Sequence, residues 1–431
     1  MNMKKYIALI VVCLPIALFS QKEEKDKSSK PTVEEQLKEV FKDENFKAGF
    51  KDALTNLKLI KEENYAELIK FNTKLIKKNK KDESAYTYRA TGYYFMEQYD
   101  EALVDINKAL KLKKSAGSYH IKANVLFALG QYEKVIEVSE VIIKKYRDYK
   151  ELSLVMWGLG MAYYEKSNYT ESISNFKKYY IMTNDEAGRA YVGYCNILLE
   201  DYEEGIKILN SIKSETVKDQ LYNEYLGIGY KGLGDYESSK TAFLKTNELS
   251  KGVHDYEVGE SYFNTQNFEK AIEYYTKYIA KGSDDAYVAN YYRGVSYFKL
   301  DKYEEALSDF KIYEVKDPSH SEMNYYLSRI FYSKKDYVQS SACIEKALLK
   351  EKDFFNFYLQ GEIYFQQGKN TLALKAFQSA QALDPEHGNV HYYIGVCHIR
   401  LGDKVKGCDF YQKAKELGAS DMDNVIKQDC N

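Results

Sequence analysis

The stretch DKYEEALSDF, residues 301–310, decides the fold because close copies of it recur along the chain. EQYDEALVDI stands at 97–106, SNYTESISNF at 167–176, GDYESSKTAF at 234–243, QNFEKAIEYY at 266–275 and KDYVQSSACI at 335–344. Counting by the aromatic that follows the polar opening gives Tyr65, Tyr99, Tyr132, Tyr169, Tyr202, Tyr236, Phe268, Tyr303 and Tyr337. Asn370 and Lys404 occupy the next two places. The steps run from 32 to 37 residues, which makes eleven units. A constant period of this size marks a stack of similar units rather than one globular core.

The content of a unit follows from the residue types at fixed places. With the counted aromatic taken as place 17, place 8 is Gly, Ala or Ser in ten units, Gly294 and Ser328 among them. Place 20 is small in nine of those ten, Ala306 and Ser340 for example, with Val135 the exception. Large apolar residues surround these places at helical spacing, such as Tyr297, Leu300, Leu307 and Phe310. Each unit therefore reads as two antiparallel helices that cross closely where both are small, joined by a short polar turn. Neither helix can bury its apolar face alone, so neighbouring units must stack. Four prolines in 431 residues suit a chain that is nearly all helix.

A 34-residue helix–turn–helix unit, small at places 8 and 20 and aromatic at 11, 17 and 24, resembles the tetratricopeptide repeat. In residues 287–320 these are Gly294, Tyr297, Tyr303, Ala306 and Phe310, with Pro318 closing the second helix; Pro385 matches it in 354–387. The resemblance covers residues 49–420. The unit 49–82 departs from it, with Asn56 and Leu68 at the two small places, and reads as a degenerate end repeat. The usual Trp at place 4 is replaced, by Asp255, Asn290 and Asn324 among others. The resemblance implies an all-α, right-handed superhelical solenoid of about 10–11 repeats. Residues 32–82 hold an N-terminal helix and the degenerate unit; ten repeats over 83–419 begin near 83, 116, 153, 186, 220, 252, 287, 321, 354 and 388. Residues 420–431 carry Met422, Val425 and Ile426 at helical spacing and are expected to form a C-terminal capping helix. The 37-residue step adds KKYRDYKELS, 144–153, where a longer connection or slight bend is expected rather than a domain break.

The N-terminal residues have a different plan. Lys4 and Lys5 precede the apolar run IALIVVCLPIALFS, and the charged stretch 21–31 follows, which is the order of a secretory signal peptide cleaved near Ser20. The run is shorter than the roughly 20 residues a spanning helix needs. Cys13 follows Val12 inside the run, which weighs against a lipid anchor there. Thr32 and Glu35 have capping-box spacing, so a helix is expected to start there. The expectation is export to the periplasm or envelope of a bacterium, with no transmembrane span in the mature chain.

Chemistry finds little purchase. The formal net charge is −2 with no basic block, which disfavours nucleic-acid binding. GIGYKG, 227–232, matches a dinucleotide fingerprint in letters, but its glycines fall mid-helix rather than at a strand–turn–helix junction. His387, His391 and His398 cluster with Cys397 and Cys408, a set zinc could use, yet His391 and His398 stand at places where other units carry core aromatics. No cofactor, metal or catalytic residue is expected, and the chain reads as a non-enzyme. Of the cysteines after residue 20, Cys195 and Cys397 read as buried thiols; if a disulfide forms, Cys408 and Cys430 are the pair.

One pattern bears on function. Place 5 reads Tyr256, Tyr291, Tyr325, Tyr358 and Tyr392 in five successive units, and place 12 reads Phe263, Phe298, Tyr332 and Phe365. Seven residues apart on one helix, each pair shares a face. In the family the sequence resembles, that face lines a concave surface that holds extended peptides, so these nine residues are the candidate binding site. Packing alone also accounts for rings at both places. The resemblance implies a non-catalytic protein-interaction scaffold with a protein or extended-peptide partner. Envelope polysaccharide is the alternative, because the same rings can stack on sugars.

Overall fold

The computed structural model describes residues 44–250 and 252–430. The leader 1–20, the charged stretch 21–31 and the helix start at Thr32 and Glu35 lie outside the described residues. Among the described residues there are 23 α-helices and no strand, and no helix is long and apolar enough to cross a membrane. The chain divides into two compact units, one ending at Gly234 and one beginning at Asp235.

The first unit runs α1 (Glu44–Lys61), α2 (Tyr65–Lys78), α3 (Glu83–Phe95), α4 (Tyr99–Leu112), α5 (Ala116–Ala128), α6 (Tyr132–Lys145), α7 (Leu152–Glu165), α8 (Tyr169–Thr183), α9 (Glu186–Leu198), α10 (Tyr202–Asn210) and α11 (Gln220–Gly232). The second runs α12 (Tyr236–Ser250), α13 (Asp255–Asn264), α14 (Phe268–Ala280), α15 (Ala286–Lys299), α16 (Tyr303–Glu314), α17 (Ser321–Ser333), α18 (Tyr337–Lys350), α19 (Phe354–Gln366), α20 (Asn370–Leu383), α21 (Gly388–Arg400), α22 (Lys404–Glu416) and α23 (Met422–Asp429). Within each unit, consecutive helices pack as antiparallel pairs, and each pair packs on the next.

The pairs cross where the sequence is small. In α17–α18, Ser328 Oγ donates to the Ser340 carbonyl at 2.8 Å and Ser340 Oγ donates back to the Ser328 carbonyl at 2.9 Å. Only backbones this close let each hydroxyl reach the facing main chain. In α21–α22, a methyl group on Gly395 would lie 3.0 Å from the Gly407 carbonyl oxygen and 2.6 Å from Tyr411 Cδ1. The aromatic at place 24 fills the space beneath the small residue: Phe176, Tyr275, Phe310, Phe377 and Tyr411 are fully buried. Where an Asp stands just before place 24, it has its own task. Asp309 takes a bidentate pair from Arg293, at 2.8 and 2.7 Å, and Asp105 takes the same pair from Arg89 at 2.6 and 2.8 Å.

Turns between paired helices pass through one left-handed residue, Lys335 at φ +60° and Gly368 at φ +72° for instance. In several pairs an Asn or Asp then caps the second helix, as Asp336 Oδ1 accepts from the Gln339 N–H at 3.1 Å. The first pair is built differently: Asn72 Nδ2 donates to Asn56 Oδ1 at 2.6 Å, a buried polar contact where later pairs use small residues. The dinucleotide-like GIGYKG lies inside α11. At the far end α23 lays Met422 and Val425 against Tyr411 and Ala414. A disulfide joins Cys408 to Cys430, 22 residues apart. Cys195, Cys343 and Cys397 are buried thiols, each pushed up to about 11 by burial.

Candidate functional site

The nine ring residues singled out by sequence lie on α13, α15, α17, α19 and α21, the first helices of successive pairs in the second unit. Tyr291 is buried, 5% exposed, with Tyr292, Tyr313 and His320 within 5.1 Å of its ring centroid. Tyr256, Phe263, Phe298, Tyr325, Tyr332, Tyr358, Phe365 and Tyr392 are half-buried. A recurring contact connects three of them to the next repeat. The ring at place 12 packs on the ring at place 6 of the next pair: Phe263 on Tyr292 at 5.4 Å, Phe298 on Tyr326 at 5.0 Å, Phe365 on Tyr393 at 5.5 Å. The outer edges of these rings form a face, and their inner edges form inter-repeat packing. His391 and His398 of the same region are also held: His391 Nε2 pairs with the Pro385 carbonyl at 2.8 Å, and His398 stacks on Phe410.

In the first unit that contact recurs at Tyr164 on Tyr191, 5.8 Å, and is missing one pair earlier. Phe127 on α5 stands at place 12, and place 6 of the next pair is Gly158 on α7. Nothing lies within 4 Å of where a Gly158 Cβ would sit. The missing ring leaves a cleft of about 350 Å³, within the size range of ligand pockets, about 300–1,000 Å³. Its walls are Tyr94, Phe127, Trp157, Met161, Tyr191 and Tyr194, with Ala190 giving further room. Trp157, the single tryptophan of the chain, is fixed by edge and tilted contacts to Phe176, Tyr179 and Tyr191 at 5.0–5.2 Å. Burial raises the Tyr94 and Tyr191 phenols to about 12, so both stay protonated donors.

Polar groups are few in this lining. Asn124, on α5, has its Nδ2 buried with no hydrogen-bond partner among the described residues. An orphaned donor in a cleft wall costs free energy until something accepts from it. Asp185 and Asp219 are occupied as helix caps, accepting from the Ala187 and Tyr222 N–H groups at 3.0 and 3.2 Å. His120 is held neutral by burial, down at about 4, and its Nδ1 pairs with the Tyr149 hydroxyl at 3.2 Å.

Two irregular connections complete the cleft. Residues 146–151, between α6 and α7, carry Tyr149 onto His120, rings edge to face at 5.8 Å. Residues 211–219, between α10 and α11, bring Thr216, Val217 and Asp219 to the rim. The Glu186 carboxylate anchors that connection, accepting from the backbone N–H groups of Lys213 and Ser214. Sequence reading missed the cleft because it followed the regular rings of places 5 and 12. The available signal was the opposite one: Gly158 follows an aromatic place 12, where Ile121 and Leu359 follow Tyr94 and Tyr332 with a large side chain.

Comparison with known proteins bears on the repeats themselves. The tetratricopeptide-repeat family model matches residues 256–321, 291–348 and 358–421. A model for subunit 3 of the anaphase-promoting complex, or cyclosome, matches residues 61–142. A TPR repeat-containing protein of Methanocaldococcus jannaschii is 23% identical over 208 residues, 46% of this chain and 36% of that one. Human Superkiller complex protein 3 is 33% identical over 99 residues, 21% of this chain and 6% of its own length. The chain thus spans about a third or less of these relatives. Among solved structures, the Cut9–Hcn1 hetero-tetramer of the anaphase-promoting complex is similar at TM-score 0.42, 11% identity, 88% of this chain and 96% of that one. YrrB, described as a TPR protein with an unusual peptide-binding site, is similar at TM-score 0.39 and 20% identity, covering 44% of this chain and 98% of its own. With helix pairs crossing at Gly395 and Gly407 or Ser328 and Ser340, and with the family model matched in the second unit, the chain is a tetratricopeptide-repeat protein.

Proposed function

We propose that the first unit holds a protein partner by gripping a bulky apolar side chain of an extended segment in the cleft opened by Gly158. The tetratricopeptide fold is that of a protein–protein interaction scaffold, and the cleft adds a place where such a scaffold could be selective. The observation that carries the reading is the combination of an aromatic-walled gap with the unpartnered Asn124 amide. Aromatic walls reward an inserted apolar group. The Asn124 Nδ2 asks for an acceptor, which a peptide carbonyl beside that side chain supplies. Among the described residues no lysine or arginine lines the cleft, so it offers an acidic ligand no cationic partner. We further infer that the protein is exported, as the leader-like residues 1–20 suggest; the Cys408–Cys430 disulfide supports this, because such bonds persist in oxidising compartments.

Trp157 gives the test, since it is the only tryptophan and it lines the cleft. Acetylated ten-residue Gly/Ser peptides with a central Leu or Phe are titrated while Trp157 emission is followed, with an all-Gly/Ser peptide as control. Saturable shifts with the Leu or Phe peptide alone are expected. Gly158→Tyr, which restores the missing ring, should abolish the shift while the chain stays folded. Equal binding by Gly158→Tyr, or a response to envelope polysaccharide with none to any peptide, overturns the reading.

A further inference from the structure

The second unit carries a charged group that nothing in its fold uses. Glu362 stands on α19 one turn beyond Tyr358, between the two ring positions of that helix. It is half-buried, and among the described residues its carboxylate has neither a hydrogen-bond donor nor an ion-pair partner within 4.0 Å. Burial raises its pKa, against a weaker opposing pull from Arg329 on α17. The carboxylate lies close enough to Tyr325, Tyr332, Tyr358 and Tyr393 to affect all four phenols electrostatically, after the larger effect of their own burial. These tyrosines come from three successive first helices, α17, α19 and α21, and Tyr358 meets Tyr393 edge to face at 6.0 Å, so the carboxylate stands beside rings of neighbouring repeats.

A carboxylate drawn partly out of water without a partner is costly, and a cation placed between it and neighbouring aromatic rings is rewarded by both. The same face already shows the preference: the Arg400 guanidinium lies 3.9 Å from the Phe365 ring centroid, one turn along from Glu362. Arg329 does not fill the role, since its side chain is exposed and forms no ion pair with Glu362. We propose that Glu362 and its four tyrosines form a recognition site for a lysine or arginine side chain presented by a polypeptide partner. The polypeptide source follows from extent: the ring face spans three helices, which a single small cation cannot cover and an extended chain can. This site lies in the second unit and is independent of the Gly158 cleft in the first.

The test uses the full chain and fluorescein-labelled nine-residue Gly/Ser peptides with a central Lys-Gly-Lys, norleucine-Gly-norleucine or Glu-Gly-Glu. Binding is read by anisotropy at low and moderate salt. The lysine peptide should bind at least tenfold more tightly than the norleucine peptide and lose affinity as salt rises. Glu362→Gln should weaken lysine-peptide binding about tenfold, leave norleucine binding unchanged and keep the native melt. Arg329→Gln, which removes a competing cation, should strengthen lysine binding a few-fold. Gly158→Tyr should leave all of this untouched, so failure of the cleft reading and failure of this one are separable. Equal affinity for lysine and norleucine, absence of measurable binding, or lysine binding unchanged in Glu362→Gln overturns the proposal. Should Glu362→Gln fail to fold, the lysine–norleucine comparison on the unaltered chain and Arg329→Gln decide the matter alone.

Discussion

Glu186 and Ser214 are joined by a hydrogen bond of 2.6 Å, from the Ser214 backbone N–H to the Glu186 carboxylate, and this contact holds the connection 211–219 over the cleft. The Lys213 N–H shares the same carboxylate at 3.1 Å. Glu186→Ala should therefore release the connection while sparing the helices. Hydrogen exchange at Lys213 and Ser214 is expected to accelerate by roughly tenfold or more, as for the loss of a charge-assisted bond of about 1.5–3 kcal/mol. Unchanged exchange at both amides would mean the connection is held by something else.

Glycines in these helices separate into two kinds, and alanine distinguishes them. At Gly158 a methyl group meets nothing within 4 Å, so Gly158→Ala should raise stability by about 0.5–1 kcal/mol through helix propensity alone. At Gly361 a methyl group would come within 2.6 Å of Phe377, and Gly361→Ala should cost about 1–3 kcal/mol through overpacking. Thermal melts of the two variants should move in opposite directions.

The ring ladder also divides under truncation. Tyr291 is buried among Tyr292, Tyr313 and His320, and Tyr291→Ala should cost on the order of 3–5 kcal/mol, as large aromatic-to-alanine changes in cores do. Tyr325 is half-buried beside Glu362, and Tyr325→Ala should cost less than half of that. Chemical denaturation of the second unit measures both. Equal losses would make the whole ladder packing.

Acid should reveal His120. Its pKa is lowered from 6.5 to about 4 by burial, so the folded state resists the proton that the unfolded chain accepts. Stability linked to this group is intact above pH 6.5 and is lost as pH falls from 6.5 to about 4, below which no further loss arises from it. The loss is on the order of 3 kcal/mol. His120→Gln should remove this part of the acid dependence, so denaturation of the variant and the parent at pH 7 and pH 4 is the measurement. Parallel pH dependence in both would show that His120 is not the group responsible.

The fold was legible because its determinants repeat. The stretch 301–310 already contains the aromatic that opens the helix, the small Ala306 at the crossing, Asp309 for Arg293 and Phe310 for the space beneath Gly294. Ten copies of such a code leave little freedom. The cleft was less legible because it depends on departures from the code, each a single residue: Gly158 where a ring would stand, and Glu186 as an anchor for the connection that ends its own repeat. The steps around Tyr202 hold to 33 and 34 residues, which conceals that α10 is only nine residues long and that the remainder forms the connection 211–219. Period alone counts residues and cannot tell helix from loop. Glu362 escaped notice for a different reason: a glutamate on a helix reads as a solvated face, and only neighbouring repeats bring tyrosines around it.

The bridge between Cys408 and Cys430 has a mechanical consequence. It closes residues 408–430 into a ring, so tension applied beyond Cys430 enters the fold at Cys408, on α22, and bypasses α23. A stacked array ordinarily unravels from its ends, because a terminal repeat has a neighbour on one side only. With the ring intact, pulling on the C-terminal end must peel α22 from α21 before the capping helix bears any load.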